Sequence, residues 1–254
     1  MLLIGNELLS GKIRDQNGHN LALMLRRRGI RLVEVCTVED DLGAIGEALL
    51  RLLARTPLVF TSGGVGPTHD DVTMEAVARA IGRPLVRHPA METTLRAHFS
   101  ERITAAALKM ADLPEGTQLT AGHGWPVMRV DLDTNRRIYI LPGIPELCLA
   151  KIEALEATPG ELPDAGGWAL ERLHTEMDEA DLAAPLNQVV ADFPDVDIGS
   201  YPRWTSDERG RLRCVVRVTF EATGAHRPLA RAARDALAAA LGPSAVLQND
   251  AGGL

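Results

Sequence analysis

Aromatic side chains are scarce in this sequence: Phe, Trp and Tyr make up 4% of its 254 residues. Any core must therefore be filled by aliphatic residues. Apolar residues reach 46%, enough for such a core, which excludes a disordered chain. An excess of positive charge is also missing. The net charge of -7 excludes a general binder of nucleic acid or of an anionic membrane, since both need a basic face. The one basic run, Arg26, Arg27 and Arg28, falls at the end of a predicted helix, where it suits the helix dipole. No apolar run approaches the ~18 residues of a membrane span. No signal peptide is visible, so the core is expected to start at the N-terminus without a leader. Cysteine is limited to Cys36, Cys148 and Cys214, which give neither zinc spacing nor a disulfide framework and point to a reducing cytoplasm.

What is present is an alternation of short β-rich runs and helical periodicity. Strands are expected at 2–5, 32–38 and 57–61, and helices at 17–28, 42–55 and from Thr73, whose side chain is expected to cap its helix. A further helix is expected over 90–109, then a strand from 137 into a Pro/Gly loop, then a helix over 145–157. This βαβαβα pattern predicts a doubly wound, mostly parallel α/β sheet. The Pro-, Gly- and acid-rich stretch "ATPGELPDAGG" reads as a boundary. It separates an α/β domain over 1–158, with a linker over 159–167, from a small module over 168–254. In that module the expected order is βαββαβ, a ferredoxin-like α+β arrangement. Pro185 is expected within the first turn of a helix near 182–191, and "IGSYPR" at 198–203 reads as a turn. A last strand is expected at 245–248.

Ligands of open parallel sheets bind at the carboxyl ends of strands. Four polar stretches fall there: "GNELLSGK" at 5–12, "VEDD" at 38–41, "GGVGPTHDD" at 63–71 and "LPGIPE" at 141–146. The glycine loop lets backbone N–H groups approach an anion, and the helix behind it adds its positive end. It matches neither of the standard nucleotide fingerprints. Asp70 and Asp71 beside a phosphate would repel it unless a divalent cation such as Mg²⁺ intervened, or unless one serves as a proton acceptor. Both read equally as helix-capping acids, as do Asp40 and Asp41 before the helix at 42. Lys12 is the nearest cation in sequence able to meet a phosphate. His69 and His123 have no metal-ligand spacing and read as structural.

Together these stretches resemble the molybdopterin-binding fold of MoaB, Mog and MoeA. They are most similar to the N-terminal domain of CinA-type competence/damage-inducible proteins and to the related domain of eukaryotic FAD synthases. The segment "DEADLAAPLNQVVADFPDVDIGSYPR" extends the likeness into the second half. The resemblance implies that Gly63, Gly64, Gly66, Pro67 and Thr68, with Ser62, contact the phosphate of a pterin or nucleotide. It places Gly5, Glu7, Lys12, Asn17, Pro142 and Gly143 among the ligand contacts. Asp40, Asp70 and Asp71 become the candidate catalytic or metal-holding carboxylates. It also departs from the family at "AGHGWPVMRVD", residues 121–131, where a Gly-Thr pair is usual. The C-terminal deamidase domain of CinA proteins is missing, so that activity is expected to be absent, and the short first strand suggests a natural start a few residues upstream. The expected function is metal-assisted hydrolysis of a nucleotide pyrophosphate such as ADP-ribose or FAD, by a homo-oligomer. Molybdopterin binding or adenylylation, and non-catalytic pterin or nucleotide binding, are the alternatives.

Overall fold

The structure, a computed structural model, describes residues 1–120, 125–206 and 212–247. The chain forms two compact units. One comprises Met1–Leu25 and Arg31–Pro163, the other Arg26–Ile30 and Asp164–Leu254.

The first unit begins with β1 (Leu2–Ile4), the short helix α1 (Asn6–Leu9) and α2 (Asn17–Arg27). Next come β2 (Cys36–Val38), α3 (Leu42–Leu53), β3 (Leu58–Ser62) and α4 (Thr73–Ala80). The hairpin partners β4 (Leu85–Arg87) and β5 (Asp112–Pro114) bracket α5 (Pro89–Phe99) and α6 (Ala105–Lys109). The unit closes with β6 (Thr117–Thr120), β7 (Val127–Asp131), β8 (Arg137–Leu141) and α7 (Pro145–Ala157). The main sheet has the order β2-β1-β3-β8-β7-β6. β2, β1, β3 and β8 are parallel neighbours, and β7 and β6 run antiparallel.

The chain leaves β1 toward β2 on one side and returns to β3 on the other. This reversal opens a crevice at the carboxyl ends of β1 and β3, the usual ligand position in such sheets. Leu2, Ile4, Val59, Ile138 and Ile140 from the central strands pack with Ile45, Leu49 and Leu52 of α3 in one buried cluster. On α3 these residues recur with helical spacing, so one stripe meets the sheet. Burying each such side chain stabilises the unit by about 1.5–3 kcal/mol. That packing holds the strand ends, and hence the loops beyond them, in fixed register.

Several local expectations are corrected. Thr73 is not the cap of α4: Val72 holds that position, and the Thr73 hydroxyl donates instead to the Gly63 carbonyl at 2.8 Å. The helix expected over 90–109 breaks into α5, a short 3-10 turn and α6, because Ser100 adopts a positive φ of 49°. The strand expected at 32–38 is reduced to three residues.

The second unit contains β9 (Trp168–Thr175), α8 (Glu179–Asp192), β10 (Asp197–Ser206), β11 (Leu212–Thr223), α9 (Arg227–Leu241) and β12 (Val246–Leu247). Its antiparallel sheet runs β10-β11-β9-β12, the ferredoxin-like order. Val216, Val218 and Phe220 of β11 pack on Ala230, Ala233 and Leu237 of α9. Pro185 lies beyond the first turn of α8, which starts earlier than expected because Asp178 caps it through the Ala180 N–H at 2.9 Å. The "IGSYPR" residues form part of β10, paired with β11, and not a turn. Gln248, at the end of the expected last strand, lies outside the described residues.

Candidate functional site

At the carboxyl ends of β1, β3 and β8, three loops meet. A methyl group on Gly63 would lie 2.1 Å from the Ile4 carbonyl oxygen, and Gly63 has φ 108°. Only glycine lets the β3 loop pass so close to the end of β1. On the other side, a Cβ on Gly143 would lie 3.2 Å from Gly63 Cα. The loops are pinned by side chains. Asn17, at the start of α2, donates from Nδ2 to Ser62 Oγ at 2.9 Å and to the Gly143 carbonyl at 2.7 Å. Ser62 Oγ donates in turn to the Pro142 carbonyl at 2.9 Å. Asn17 is 6% exposed, and its Oδ1 has no donor among the described residues. The Gly143 carbonyl can only accept, so it fixes which end of the amide faces it. Asn17 Oδ1 is thus a buried acceptor in want of a donor.

These loops border a cleft of about 850 Å³. The site residues expected from sequence that line it are Glu7, Asn17, Ser62, Gly63, Gly64, Gly66, Pro67, Asp71, Pro142 and Gly143. Gly5, Lys12, Asp40, Thr68 and Asp70 do not line it. Gly5 is buried and donates to the Val38 carbonyl at 3.1 Å. Lys12 is exposed, so the cation next in sequence to the glycine loop's neighbour is not the one that faces the cleft. Asp40 is committed elsewhere, accepting the Asn6 N–H at 2.8 Å. Asp41 caps α3, accepting from Gly43 and Ala44 at 2.9 Å each.

The aspartates of the glycine loop are also engaged. Asp71 Oδ2 accepts the Thr68 N–H at 2.7 Å and the Thr68 hydroxyl. Asp70 Oδ1 faces the same hydroxyl. That hydroxyl bond, followed by a backbone N–H bond, holds the Asp70 carboxyl below its usual range. One hydroxyl proton cannot fully serve two carboxylates, so the pair retains acceptor capacity. A Cβ on Gly66 would lie 2.7 Å from Asp71 Oδ2, so this glycine leaves room for the carboxylate. His69 is exposed and 3.9 Å from Asp70, and His123 lies outside the described residues.

Among the described residues no three carboxylate, imidazole or thiolate side chains converge as a metal cage. Mg²⁺ does not require one: it is commonly held by one or two carboxylates together with phosphate oxygens and water. Asp70 and Asp71, brought to one hydroxyl, suit that donor set. Asp40, held by Asn6, does not join them.

The remaining wall was not anticipated from the sequence. Arg14 and Asp15 flank the entry to α2, with Asp15 accepting the Asn17 N–H at 2.9 Å. His98, Phe99 and Trp125 form an aromatic side, His98 standing edge-on to both at 4.8 and 5.7 Å. Lys151 of α7 is 6% exposed and donates to the Trp125 carbonyl. Burial lowers its pKa. A lysine at the sixth position after the Pro-Gly-Ile-Pro turn looks like an ordinary surface position, so only the packing of α7 reveals it.

Comparisons with known proteins agree with this fold. The family model for a "Probable molybdopterin binding domain" matches residues 1–158, and that for "FAD synthase, middle domain" matches residues 168–250. A protein of Archaeoglobus fulgidus is 32% identical over 206 residues, covering 80% of this chain and 85% of its own length. A "Probable FAD synthase" of Caenorhabditis elegans is 28% identical over 228 residues, covering 80% of this chain. The chain spans less than half, 43%, of that relative. The crystal structure of the CinA protein of Thermoplasma acidophilum, described as of unknown function, superposes with a TM-score of 0.57 at 30% identity. That likeness covers 61% of this chain and 93% of the CinA chain. No helix among the described residues is long and apolar enough to cross a membrane.

Proposed function

The chain belongs to the molybdopterin-binding domain family, in its CinA-like form, and on that premise we propose that it hydrolyses the pyrophosphate bond of a dinucleotide such as ADP-ribose or FAD. One observation carries the reading: the glycine loop, the Asp71 carboxylate and two cations, Arg14 and Lys151, line a single cleft of about 850 Å³. Clefts of that size suit a ligand larger than a mononucleotide fragment. The loop N–H groups would receive the diphosphate. The aromatic side formed by Phe99 and Trp125 would receive a flat ring. Asn17, which lines the cleft, would hold the Ser62 and Gly143 loops in place around that ligand.

Asp71 and Asp70 are the residues that would hold a divalent cation against the phosphate. When bound, that cation neutralises charge on the phosphoryl group and favours attack by water. Asp71 Oδ1, the oxygen not used by Thr68, is the group available to position that water or accept its proton. The products from ADP-ribose and water are AMP and ribose 5-phosphate.

A specific observation favours a second reading, a pterin or nucleotide binder without turnover. Each candidate carboxylate already has a partner within the protein, Asp71 and Asp70 in Thr68 and Asp40 in Asn6. Incubating the purified protein with ADP-ribose and with FAD, with and without Mg²⁺, separates the two. AMP release that requires Mg²⁺ supports hydrolysis. Binding of a pterin with no turnover of either dinucleotide supports the binder.

A further inference from the structure

We infer that Lys151 is the fixed cation of the cleft and receives a phosphate group of the ligand, the role that sequence proximity assigned to Lys12. This rests on the reading of the ligand as a phosphoanhydride. An ammonium group removed from water is unfavourable unless it is paired and fully hydrogen-bonded. Lys151 is 6% exposed, yet among the described residues it has one partner, the Trp125 carbonyl. Among the described residues it has no carboxylate partner, and burial is what lowers its pKa. Two of its three N–H donors have no acceptor among the described residues.

Among the described residues, the other buried charged side chain is treated differently. Glu161, 8% exposed, is paired with Arg129 at 2.9 Å and also accepts the Tyr139 hydroxyl at 2.8 Å. The open pairing of Lys151 is therefore local to the cleft that it lines. The glycine loop lines the same cleft, and its backbone N–H groups attract the same kind of ligand. An anion between them supplies the counter-charge that the protein omits. Lys12 is exposed and lies outside the wall, so solvent screens it.

Inorganic pyrophosphate is the probe, titrated calorimetrically into wild type, Lys151→Gln and Lys151→Arg, with a thermal-shift series on the same proteins. Gln keeps a donor for the Trp125 carbonyl while removing the charge, and loss of an unpaired buried charge leaves the ligand-free fold intact or more stable. The expected result is at least tenfold weaker pyrophosphate binding by Lys151→Gln, partial recovery in Lys151→Arg, and a pyrophosphate-induced rise in Tm that Lys151→Gln loses. Equal binding by wild type and Lys151→Gln would reduce Lys151 to a tether for Trp125 and overturn the inference. So would a wild type that binds no pyrophosphate. AMP release is scored separately. Turnover by wild type with no effect of Lys151→Gln on pyrophosphate binding sinks the inference and leaves the hydrolase standing. A lysine-dependent pyrophosphate site without turnover of any dinucleotide does the reverse.

Discussion

The side-chain amide of Asn17 reaches across 126 positions of sequence to donate to the Gly143 carbonyl at 2.7 Å. With its second bond to Ser62, it ties the entry of α2 to the loops that follow β3 and β8. The cleft floor is therefore a hydrogen-bonded unit and not three independent turns. Asn17→Ala leaves Ser62 short of a donor in a buried setting and Gly143 short of one in a part-buried setting. It is expected to destabilise the first unit by about 1–3 kcal/mol, read as a lower urea midpoint at unchanged slope. No change in midpoint would mean that the loops hold their positions without Asn17.

Gly63 and Gly66 separate folding from function. Gly63→Ala sets a methyl group 2.1 Å from backbone at a positive φ, and nothing flexible can yield. A loss of roughly 3 kcal/mol or more, or failure to fold, is expected. Gly66→Ala instead presses on the Asp71 side chain, which can rotate away. It is expected to cost about 1 kcal/mol of stability, through the Thr68 N–H bond, and to lower pyrophosphatase turnover at least tenfold. Urea denaturation and initial rates on both variants check the contrast.

Asp71→Asn keeps an oxygen that can accept the Thr68 N–H, so its fold is expected to change by about 1 kcal/mol at most. Turnover should fall 100-fold or more if the carboxylate positions water or cation. A variant that unfolds while the native protein shows no turnover would make Asp71 a loop brace alone.

Because no three ligand side chains converge among the described residues, a divalent cation is expected to enter with the phosphate. Mg²⁺ alone should leave Tm unchanged, whereas Mg²⁺ with pyrophosphate should raise it above pyrophosphate alone. Chelation should stop turnover without unfolding the protein. A Tm increase from Mg²⁺ alone would indicate a preformed site.

Burial pushes the Cys148 thiol up to about 11, whereas the unfolded thiol titrates near ~8.5. Between those values the unfolded chain has lost a proton that the native chain keeps. The contribution is therefore complete below ~8.5 and declines as pH rises through 11. Wild type should lose its stability advantage over Cys148→Ala across that window, measured by urea unfolding at pH 8, 9.5 and 11. A difference independent of pH would show that Cys148 titrates normally.

The loops were legible in the sequence because their chemistry is local. Glycine where the chain turns back on Ile4, Pro-Gly after β8 and Asn17 at a helix start all follow from short-range patterns. Which of two adjacent aspartates caps α3 was not legible from residue type: Asp41 takes the cap, while Asp40 accepts the Asn6 N–H across 34 positions of sequence. The strands β4 and β5 were hidden because Leu85 and Val86 are largely exposed and so lack a buried alternation. Lys151 was hidden for a tertiary reason: its burial comes from Trp125 and the cleft edge, 26 residues away.

Turnover in ¹⁸O-labelled water separates hydrolysis of the pyrophosphate bond from binding alone. With ADP-ribose and Mg²⁺, the account predicts AMP and ribose 5-phosphate in equal amounts, with one ¹⁸O atom incorporated into one of the two phosphate monoesters per event. AMP absent from every dinucleotide tried, or AMP formed without ¹⁸O in either product, would contradict it.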